Sequence, residues 1–546
     1  MPTPPESDDL SDVKIRAGLA SGDLDRVEDL FDARWYDLAD RFAAEVLRAT
    51  DGVPAGVLQV RPRLLHAVLL AHHHMTYREQ NHHQLRRTLQ FYVVMGQRYG
   101  KRLSSFTQPG DLIAAGVAAV VSERMRGEYG GAERIGAWTD AQITLGRAHP
   151  APPWTATNAA ARPGWLSSER GLTAMLAGSL DQATQLLTRA HAEAGELPYA
   201  HYAGANAAAN LALLAAFRGH LDLARTWLET LDHLSPLPGW VEHLTTVGAE
   251  VARVLIAIDE GDPATAARLL DQLGPATHPR ELWAFVAFAN ASYEAHFGDP
   301  HRGLRMLDTT RQQQGALSPD PSTMAGELVL RAEAKLLLRT GTGTRVLHLA
   351  EQHTEVESLA LSAAWAHLLA GEHSEAMRLS AEMVQYSDLP VNDRMGHHLV
   401  QATAHLRARH PERARTSFLA AIRLRSTPAH VSPFLSLRDN ELDDLARLAH
   451  VPNPLHSGGA VRRNTPPSAP LVHLTPRERE VLRALSARQT AEQAAAQFGV
   501  SVSTVRTQIR KIYQKLNVSH RTEAIAKAQD LGLIRATRNT PRDRAG

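Results

Sequence analysis

The sequence predicts an all-α protein in which a solenoid of helical hairpins precedes a small four-helix domain. Three observations support this fold class. Apolar residues recur at three- and four-residue spacing, small residues recur at intervals of roughly 40 residues, and the alternating runs typical of β-strands are absent. Hydrophobic residues make up 44% of the 546 positions. The chain can therefore bury a sizeable core, which a solenoid spreads along its length.

The repeat signal is a glycine at the turn of each hairpin, followed by a small residue five positions later and, in most repeats, a leucine four positions after that. Gly178, for example, precedes Ala183 and Leu187. A glycine breaks the chain between two helices, while small residues let the helices pack closely. The glycines are Gly178, Gly219, Gly261, Gly298 and Gly371, with intervals of 41, 42, 37 and 73 residues, the last being about two repeats. This pattern resembles tetratricopeptide-type helix hairpins.

Residues 473–534 predict a compact helix-turn-helix domain because three N-cap signals punctuate them. Thr475 precedes Pro476 and Glu478, and Thr490 precedes Gln493. In each pair a hydroxyl can cap the helix while the acid or amide reaches back. The third signal is Ser501, which lies two residues after Gly499. Gly499 is suited to the tight turn between the second and third helices.

The third helix of this domain has one apolar and one polar face. Its apolar stripe is Val502, Val505, Ile509, Ile512 and Leu516. The opposite face carries Arg506, Thr507, Arg510 and Gln514, with Lys511 and Lys515 alongside. Such a helix fits the DNA major groove, where arginine can bind guanine with two hydrogen bonds, and Ser501, Ser503 and Thr504 can donate to phosphate. The alternative interpretation is an ordinary amphipathic helix with a solvated basic face.

Charge is distributed unevenly along the chain. The whole sequence has 59 basic and 58 acidic residues, but residues 460–546 contain 16 basic against 6 acidic. The remaining residues contain 43 basic against 52 acidic. A basic terminal domain on an acidic body is typical of a tethered DNA-binding module.

Residues 473–534 resemble the LuxR-type helix-turn-helix, in the stretches LTPREREVL, GVSVSTVRTQIRKIYQKL and NVSHRTEA. The similarity is greatest to the branch of large regulators typified by the maltose-operon activator. It implies that Arg506, Thr507 and Arg510 read the groove and that a fourth helix, about 519–529, forms a dimer contact. Ala524, Ile525, Ala528 and Leu531 are predicted to form an apolar dimer patch, with inward packing as the alternative. The usual glycine before the second helix is replaced by Arg488 or Gln489, and the usual histidine of the reading helix by Gln508.

Composition predicts the domain boundaries. Residues 1–10 are expected to be a disordered tail, and residues 11–450 the tetratricopeptide-like solenoid, which would act as a sensor or interaction domain. Residues 451–472, rich in Pro, Gly and Ser, are expected to be a flexible linker. The helix-turn-helix domain follows at 473–534, and residues 535–546 form a basic tail.

Several absences limit the function. There is no cysteine, no apolar run long enough to span a membrane and no apolar signal core, so we expect a soluble cytoplasmic protein. No phosphate loop or nucleophile elbow is present, which predicts no enzyme activity and no cofactor. The histidine-rich stretch at 72–83 lacks accompanying ligands, and we expect no metal there.

The sequence favours a sequence-specific transcriptional regulator whose helical body senses a ligand or protein partner. The alternative is a helical-repeat interaction scaffold that binds DNA generically. Candidate ligand-binding residues are aromatic side chains on the first helices of the repeats: Tyr202, Trp240, Trp283 and Phe285. The alternative for each is that it packs between hairpins. The expected partners are double-stranded DNA, a second copy on DNA and a groove ligand, with RNA polymerase as a further candidate and no membrane.

Overall fold

A computed structural model describes residues 12–79, 82–148, 163–195, 202–233, 245–274, 281–315, 320–385, 389–455, 463–468 and 471–534. In these ranges the regular elements are helices and no strand occurs, which confirms the predicted all-α class. No helix among the described residues is both long and apolar enough to cross a lipid bilayer. The chain divides into two compact units, residues 1–253 with 280–282 and residues 254–279 with 283–546.

The first unit contains twelve helices in the described ranges, and the helix Val247–Asp259 contributes residues to both units. The helix Pro109–Met125 is apolar on all sides and almost wholly buried, as expected for a helix surrounded by others. The helices are α1 Asp12–Ala20, α2 Leu24–Arg41, α3 Ala43–Ala49, α4 Ala55–Leu58, α5 Pro62–Glu79, α6 His82–Gly100, α7 Pro109–Met125, α8 Tyr129–Ala148, α9 Trp165–Leu176, α10 Leu180–Ala194, α11 Ala203–Phe217 and α12 Leu221–Asp232, followed by the shared α13 Val247–Asp259.

The second unit combines further hairpins with the small C-terminal domain. Its hairpin helices are α14 Pro263–Leu273, α15 Trp283–His296, α16 Pro300–Gln313, α17 Met324–Arg339, α18 Gly343–Gln352, α19 Leu359–Ala370, α20 His373–Met383, α21 Val391–Arg407, α22 Pro411–Arg423 and α23 Asp439–Ala449. The C-terminal domain contains α24 Pro476–Ser486, α25 Ala491–Phe498, α26 Val502–Leu516 and α27 Arg521–Asp530.

The repeat pattern marks real hairpin turns within each unit. Gly178 and Gly219 of the first unit have φ of +87° and +81°, and Gly261 and Gly371 of the second have +70° and +86°. The left-handed region is costly for residues with a Cβ, so glycine is favoured at these turns. Within the interval of 73 residues, Gly341 makes the same turn between α17 and α18, with φ of +75°, as the length of that interval predicts.

The small residues five positions after each hairpin glycine lie where two helices pack closely. Ala183, Ala224, Ala266 and Ala376 are fully buried. Gly303 takes the same place in its hairpin, and a Cβ there would lie 2.6 Å from Leu336. Close helix contact therefore explains the small residues. The assignment to the tetratricopeptide-like class stays a prediction.

Candidate nucleic-acid interface

Hydrogen-bonded N-caps fix the helix starts of the C-terminal domain. The Thr475 hydroxyl accepts from the Glu478 amide, and the Glu478 carboxylate accepts from the Thr475 amide. Thr490 and Gln493 form the same reciprocal box at α25. Ser501 caps α26 through the Thr504 amide. These three caps were predicted from the sequence and are confirmed.

The apolar stripe of α26 holds the domain together. Val505, Ile512 and Leu516 are fully buried, while Val502 and Ile509 are partly buried against the same core. The turn before α26 is made by Gly499, whose φ is +64°. Since the apolar side of the helix is turned inward, its polar side is directed outward.

The outward side of α26 carries the predicted reading residues. Arg506, Thr507, Arg510, Lys511 and Gln514 are all exposed. The described residues provide no ion-pair partner for Arg510 or Lys511. The donors on this face are therefore available to a ligand such as a base edge or a phosphate.

A cluster of hydroxyl groups occupies the N-terminus of α26. The Ser501 hydroxyl lies 2.8 Å from the Ser503 hydroxyl and 2.7 Å from that of Thr504, and all three residues are exposed. The Thr507 hydroxyl instead donates to the Ser503 carbonyl at 2.9 Å. A helix N-terminus with exposed donors favours an anion such as phosphate.

Arg506 differs from Arg510 because a carboxylate faces it. Its guanidinium lies 2.9 Å from the Glu492 carboxylate on α25, and both side chains are more than half exposed. An exposed pair of this kind is worth little, so a guanine could displace the carboxylate. Sequence reasoning missed Glu492, because the contact joins residues fourteen positions apart.

Lys515 lies in a hydrogen-bond network of the domain itself. Its ammonium is 2.6 Å from the Glu478 carboxylate and 2.8 Å from the His473 carbonyl. Burial alone would raise the pKa of Glu478, but hydrogen bonds from Lys515 and the Thr475 amide hold that pKa below its usual value. Lys515 therefore contributes to the capping box as well as to the basic surface, and its phosphate contact stays a prediction.

Arg488 has a backbone conformation that favours glycine. Of the two candidate positions, Arg488 is the one in the left-handed region, with φ of +63°, and its amide donates to the Leu485 carbonyl at 3.0 Å. A side chain in this conformation costs about 1–2 kcal/mol. The domain tolerates this strain in the turn between α24 and α25.

We expect Arg488→Gly to stabilise the C-terminal domain by up to about 1 kcal/mol, because relief of strain exceeds the added chain entropy. Native-state hydrogen exchange of the α24 and α26 amides measures this in the full chain. Lys511→Gly removes the same charge from a helix interior and should instead cost about 1 kcal/mol. The strain argument is refuted if the α24 and α26 amides exchange no more slowly in Arg488→Gly than in the parent chain, or if the two variants lose the same amount of protection.

The fourth helix of the domain, α27, is packed differently from the predicted dimer patch. Ala524 and Ala528 are fully buried in the core of their own domain, and Ile525 and Leu531 are partly buried against it. The inward packing that we had considered as the alternative is therefore the arrangement found. Two of the four residues present no surface to a second copy. A dimer contact through α27 would have to use its exposed side, which includes Thr522 and Ala526.

Polar contacts join this domain to α18 and to the residue that precedes α20 within the second unit. The Glu372 carboxylate lies 2.6 Å from His473, and the Glu351 carboxylate lies 2.9 Å from Arg479. The Val472 amide donates to the Thr344 hydroxyl at 3.0 Å. These contacts involve the start of α24, so they leave the outward side of α26 uncovered.

The segment just before the domain also has defined partners in the second unit. Asn464 donates its backbone amide to the His296 carbonyl at 2.8 Å and its side-chain amide to the Gly298 carbonyl at 2.7 Å. Arg463 pairs with Asp439, and Arg438 donates to Ser468. The predicted boundaries of the linker stay a prediction, but residues 463–468 have specific contacts.

The predicted ligand-binding aromatic residues have different environments. Tyr202 is partly buried, and its hydroxyl donates to Glu169 at 3.4 Å. Trp283 is partly exposed at the start of α15, whereas Phe285 is fully buried. Trp240 lies outside the described residues. Among those described, no group of three or more acidic or histidine side chains is placed to hold a metal ion.

Comparisons with known proteins locate the similarity in the same domain. Residues 472–528 match the family model described as bacterial regulatory proteins, luxR family. The probable transcriptional regulatory protein NarL of Mycobacterium tuberculosis, in strains CDC 1551 / Oshkosh and ATCC 25618 / H37Rv, is 41% identical over 76 residues, which are 14% of this chain and 34% of NarL. The HTH-type transcriptional regulator MalT of Serratia proteamaculans (strain 568) is 43% identical over 58 residues, 11% of this chain and 6% of MalT.

The chain thus spans about a third of the length of its NarL relatives and a much smaller share of MalT. The matched residues are those that form α24–α27, with their caps and outward-facing basic helix. Residues 472–528 therefore form a helix-turn-helix domain of the LuxR family of bacterial regulatory proteins.

Proposed function

We propose that this protein is a sequence-specific, DNA-binding transcriptional regulator. The observation that carries the proposal is the uncovered outward side of α26, with Arg506 and Arg510 exposed on the side of the helix opposite its apolar stripe. The apolar stripe beneath them is fully buried at Val505, Ile512 and Leu516 and partly buried at Val502 and Ile509. Arginines in this setting can enter the major groove and bind guanine with two hydrogen bonds. The relatives of this domain are named as transcriptional regulators, which supports the same function.

The alternative is an interaction scaffold that binds DNA generically through its basic domain. In that case the arginines would neutralise phosphates without reading bases. The proposal includes binding of DNA as a homodimer and contact with RNA polymerase, and it assigns no enzyme activity to the helical body.

Selection from a random DNA pool with the full chain tests the function. We expect enrichment of one sequence that then keeps its binding against a large excess of random DNA at physiological salt. The selected site also reports the assembly, because a dimer should choose paired half-sites about one helical turn apart. Failure of any sequence to outcompete random DNA would favour the scaffold.

We further propose that the helical body regulates the DNA-binding domain through the contacts made by Glu351 and Glu372. Burial by itself would raise the pKa of Glu372, but hydrogen bonds from His367 and His473 lower it below its usual value. The carboxylate is therefore charged at neutral pH and attracts the start of the domain. Because the outward side of α26 stays open in this arrangement, the contact would control how the domain is oriented or paired rather than cover its reading face.

Glu351→Gln combined with Glu372→Gln should loosen this contact by a modest factor, since exposed ion pairs contribute about 0–1 kcal/mol each. We expect faster hydrogen exchange in α18 and at the start of α24, together with a change in DNA affinity of the full chain. Glu357→Gln is the control, because it removes one carboxylate charge from an exposed residue that has no contact with the domain. Faster exchange without any change in DNA affinity would mean that the contact has no regulatory effect.

A further inference from the structure

One hairpin turn of the second unit departs from the glycine pattern. The residue between the end of α21 and the start of α22 that takes the left-handed conformation is Arg409, with φ of +60°. Gly261, Gly341 and Gly371 occupy the corresponding turns of the same unit, with φ between +70° and +86°. An arginine here costs conformational energy that glycine avoids. Residues held in strained conformations are enriched at functional sites.

Arg409 lines an open, shallow cavity of about 780 Å³ on the surface formed by α21, α22 and α23, and most of its lining residues are exposed. The apolar part of its wall is Leu406, Pro411 and Leu448. The size is in the range of small-molecule sites, which combine an apolar surface with a few convergent polar groups.

The charged part of the wall consists of three arginines and two carboxylates. Arg447 is paired with Asp444 at 2.9 Å. Arg409 and Arg415 are exposed, and among the described residues no carboxylate lies within ion-pair distance of either guanidinium. Glu412 is the remaining carboxylate of the wall, so the cavity has an excess of positive charge. Two guanidinium groups with free donors suit a carboxylate or phosphate.

We propose that this cavity binds a small amphipathic anion, with its carboxylate or phosphate group on Arg409 and Arg415 and its apolar part against Leu406 and Leu448. The inference rests on the proposed function, because it names the class of ligand that the helical body senses. A convex DNA backbone would not fill the cavity or use its apolar wall.

The site lies on the helix that leads to the DNA-binding domain. His450, in the cavity wall, is the residue that ends α23, and residues 451–455 follow it directly. The other end of α23 contacts the segment before the domain, through Asp439 and Arg463. A ligand that moves α23 would therefore act on residues 451–455 and on the Asp439–Arg463 pair. It would shift the equilibrium between two positions of α23 only by the difference in its affinity for them.

Calorimetric titration of the full chain with sodium octanoate and with octyl phosphate tests the site, and the tighter probe identifies the anionic group. Octanol lacks the charge and tests the apolar wall alone, whereas inorganic phosphate lacks the alkyl chain and tests the arginines alone. We expect Arg409→Gly and Arg415→Gln each to weaken binding by about tenfold or more. Arg409→Gly relieves the strained turn, so loss of binding cannot result from misfolding. Arg413→Gln, an exposed arginine of α22 outside the cavity wall, should leave binding unchanged.

The proposal is wrong if neither amphipathic anion binds, or if both variants bind like the parent chain. Equal binding of octanol would exclude the anion, and equal binding of inorganic phosphate would exclude the apolar part. If the probes fail and the variants instead lose affinity for random DNA, the arginines contact DNA rather than a small molecule. The titrations contain no DNA, so their result stands apart from any failure of sequence-specific DNA binding.

Discussion

Ile512→Ala is expected to destabilise the C-terminal domain by about 2–5 kcal/mol and to abolish DNA binding. Ile512 is fully buried at the centre of the α26 stripe, so removing its side chain leaves a cavity. A domain of this size has a total stability of roughly 3–9 kcal/mol, and a large fraction would therefore be unfolded. Hydrogen exchange and circular dichroism of the full chain should report loss of the domain with the helical body retained.

Ile512→Val is the matched control, since it removes one methylene group and should cost about 0.5–1.5 kcal/mol. We expect this variant to keep most of the exchange protection in α24 and α26 and to bind DNA. Normal DNA affinity in Ile512→Ala, with protection unchanged, would show that the apolar stripe is not what orients the outward side of α26.

Arg510→Ala should weaken binding to the selected DNA site by roughly 10- to 100-fold, the equivalent of about 1–3 kcal/mol. The described residues offer this guanidinium no ion-pair partner, so its donors have no competing acceptor. Arg510→Lys should recover little of the loss, because an ammonium cannot make two parallel hydrogen bonds to one guanine. Competition between the selected site and random DNA measures the change.

Lys511→Ala removes the same charge from the neighbouring position and serves as the comparison. It should weaken binding to all DNA sequences by a similar factor, and it should reduce the slope of log affinity against log salt concentration by about one. Equal losses on selected and random DNA for Arg510→Ala would contradict base reading. Glu492→Gln should strengthen binding, because its carboxylate competes with DNA for Arg506.

Sequence reasoning succeeded where a feature is encoded within a few residues. The capping boxes at Thr475 and Thr490 are visible as pairs three positions apart, and the stripe through Ile512 follows from helical periodicity. The glycine turns at Gly178 and Gly371 were visible for the same reason. Each of these features depends on local geometry, which the neighbouring residues determine.

Features that join distant parts of the chain could not be predicted. The contacts of Lys515 with Glu478 and of Arg479 with Glu351 depend on how helices pack, and no local pattern records this. Inward packing of Ala528 was one of two alternatives that the sequence left open, because which side of α27 is buried depends on its contacts with α24 and α26. Arg409 was missed because its turn lacks the glycine on which the repeat signal depends.

How quickly the C-terminal domain folds follows from its capped helix starts. Each of the four helices begins at an N-cap whose side chain accepts a hydrogen bond from an amide three positions on, and the helices are joined by short loops and pack into one core. Little chain entropy is lost before stabilising contacts form, and helical proteins with such local contacts fold in microseconds to milliseconds. A domain that opens locally is therefore expected to refold within milliseconds.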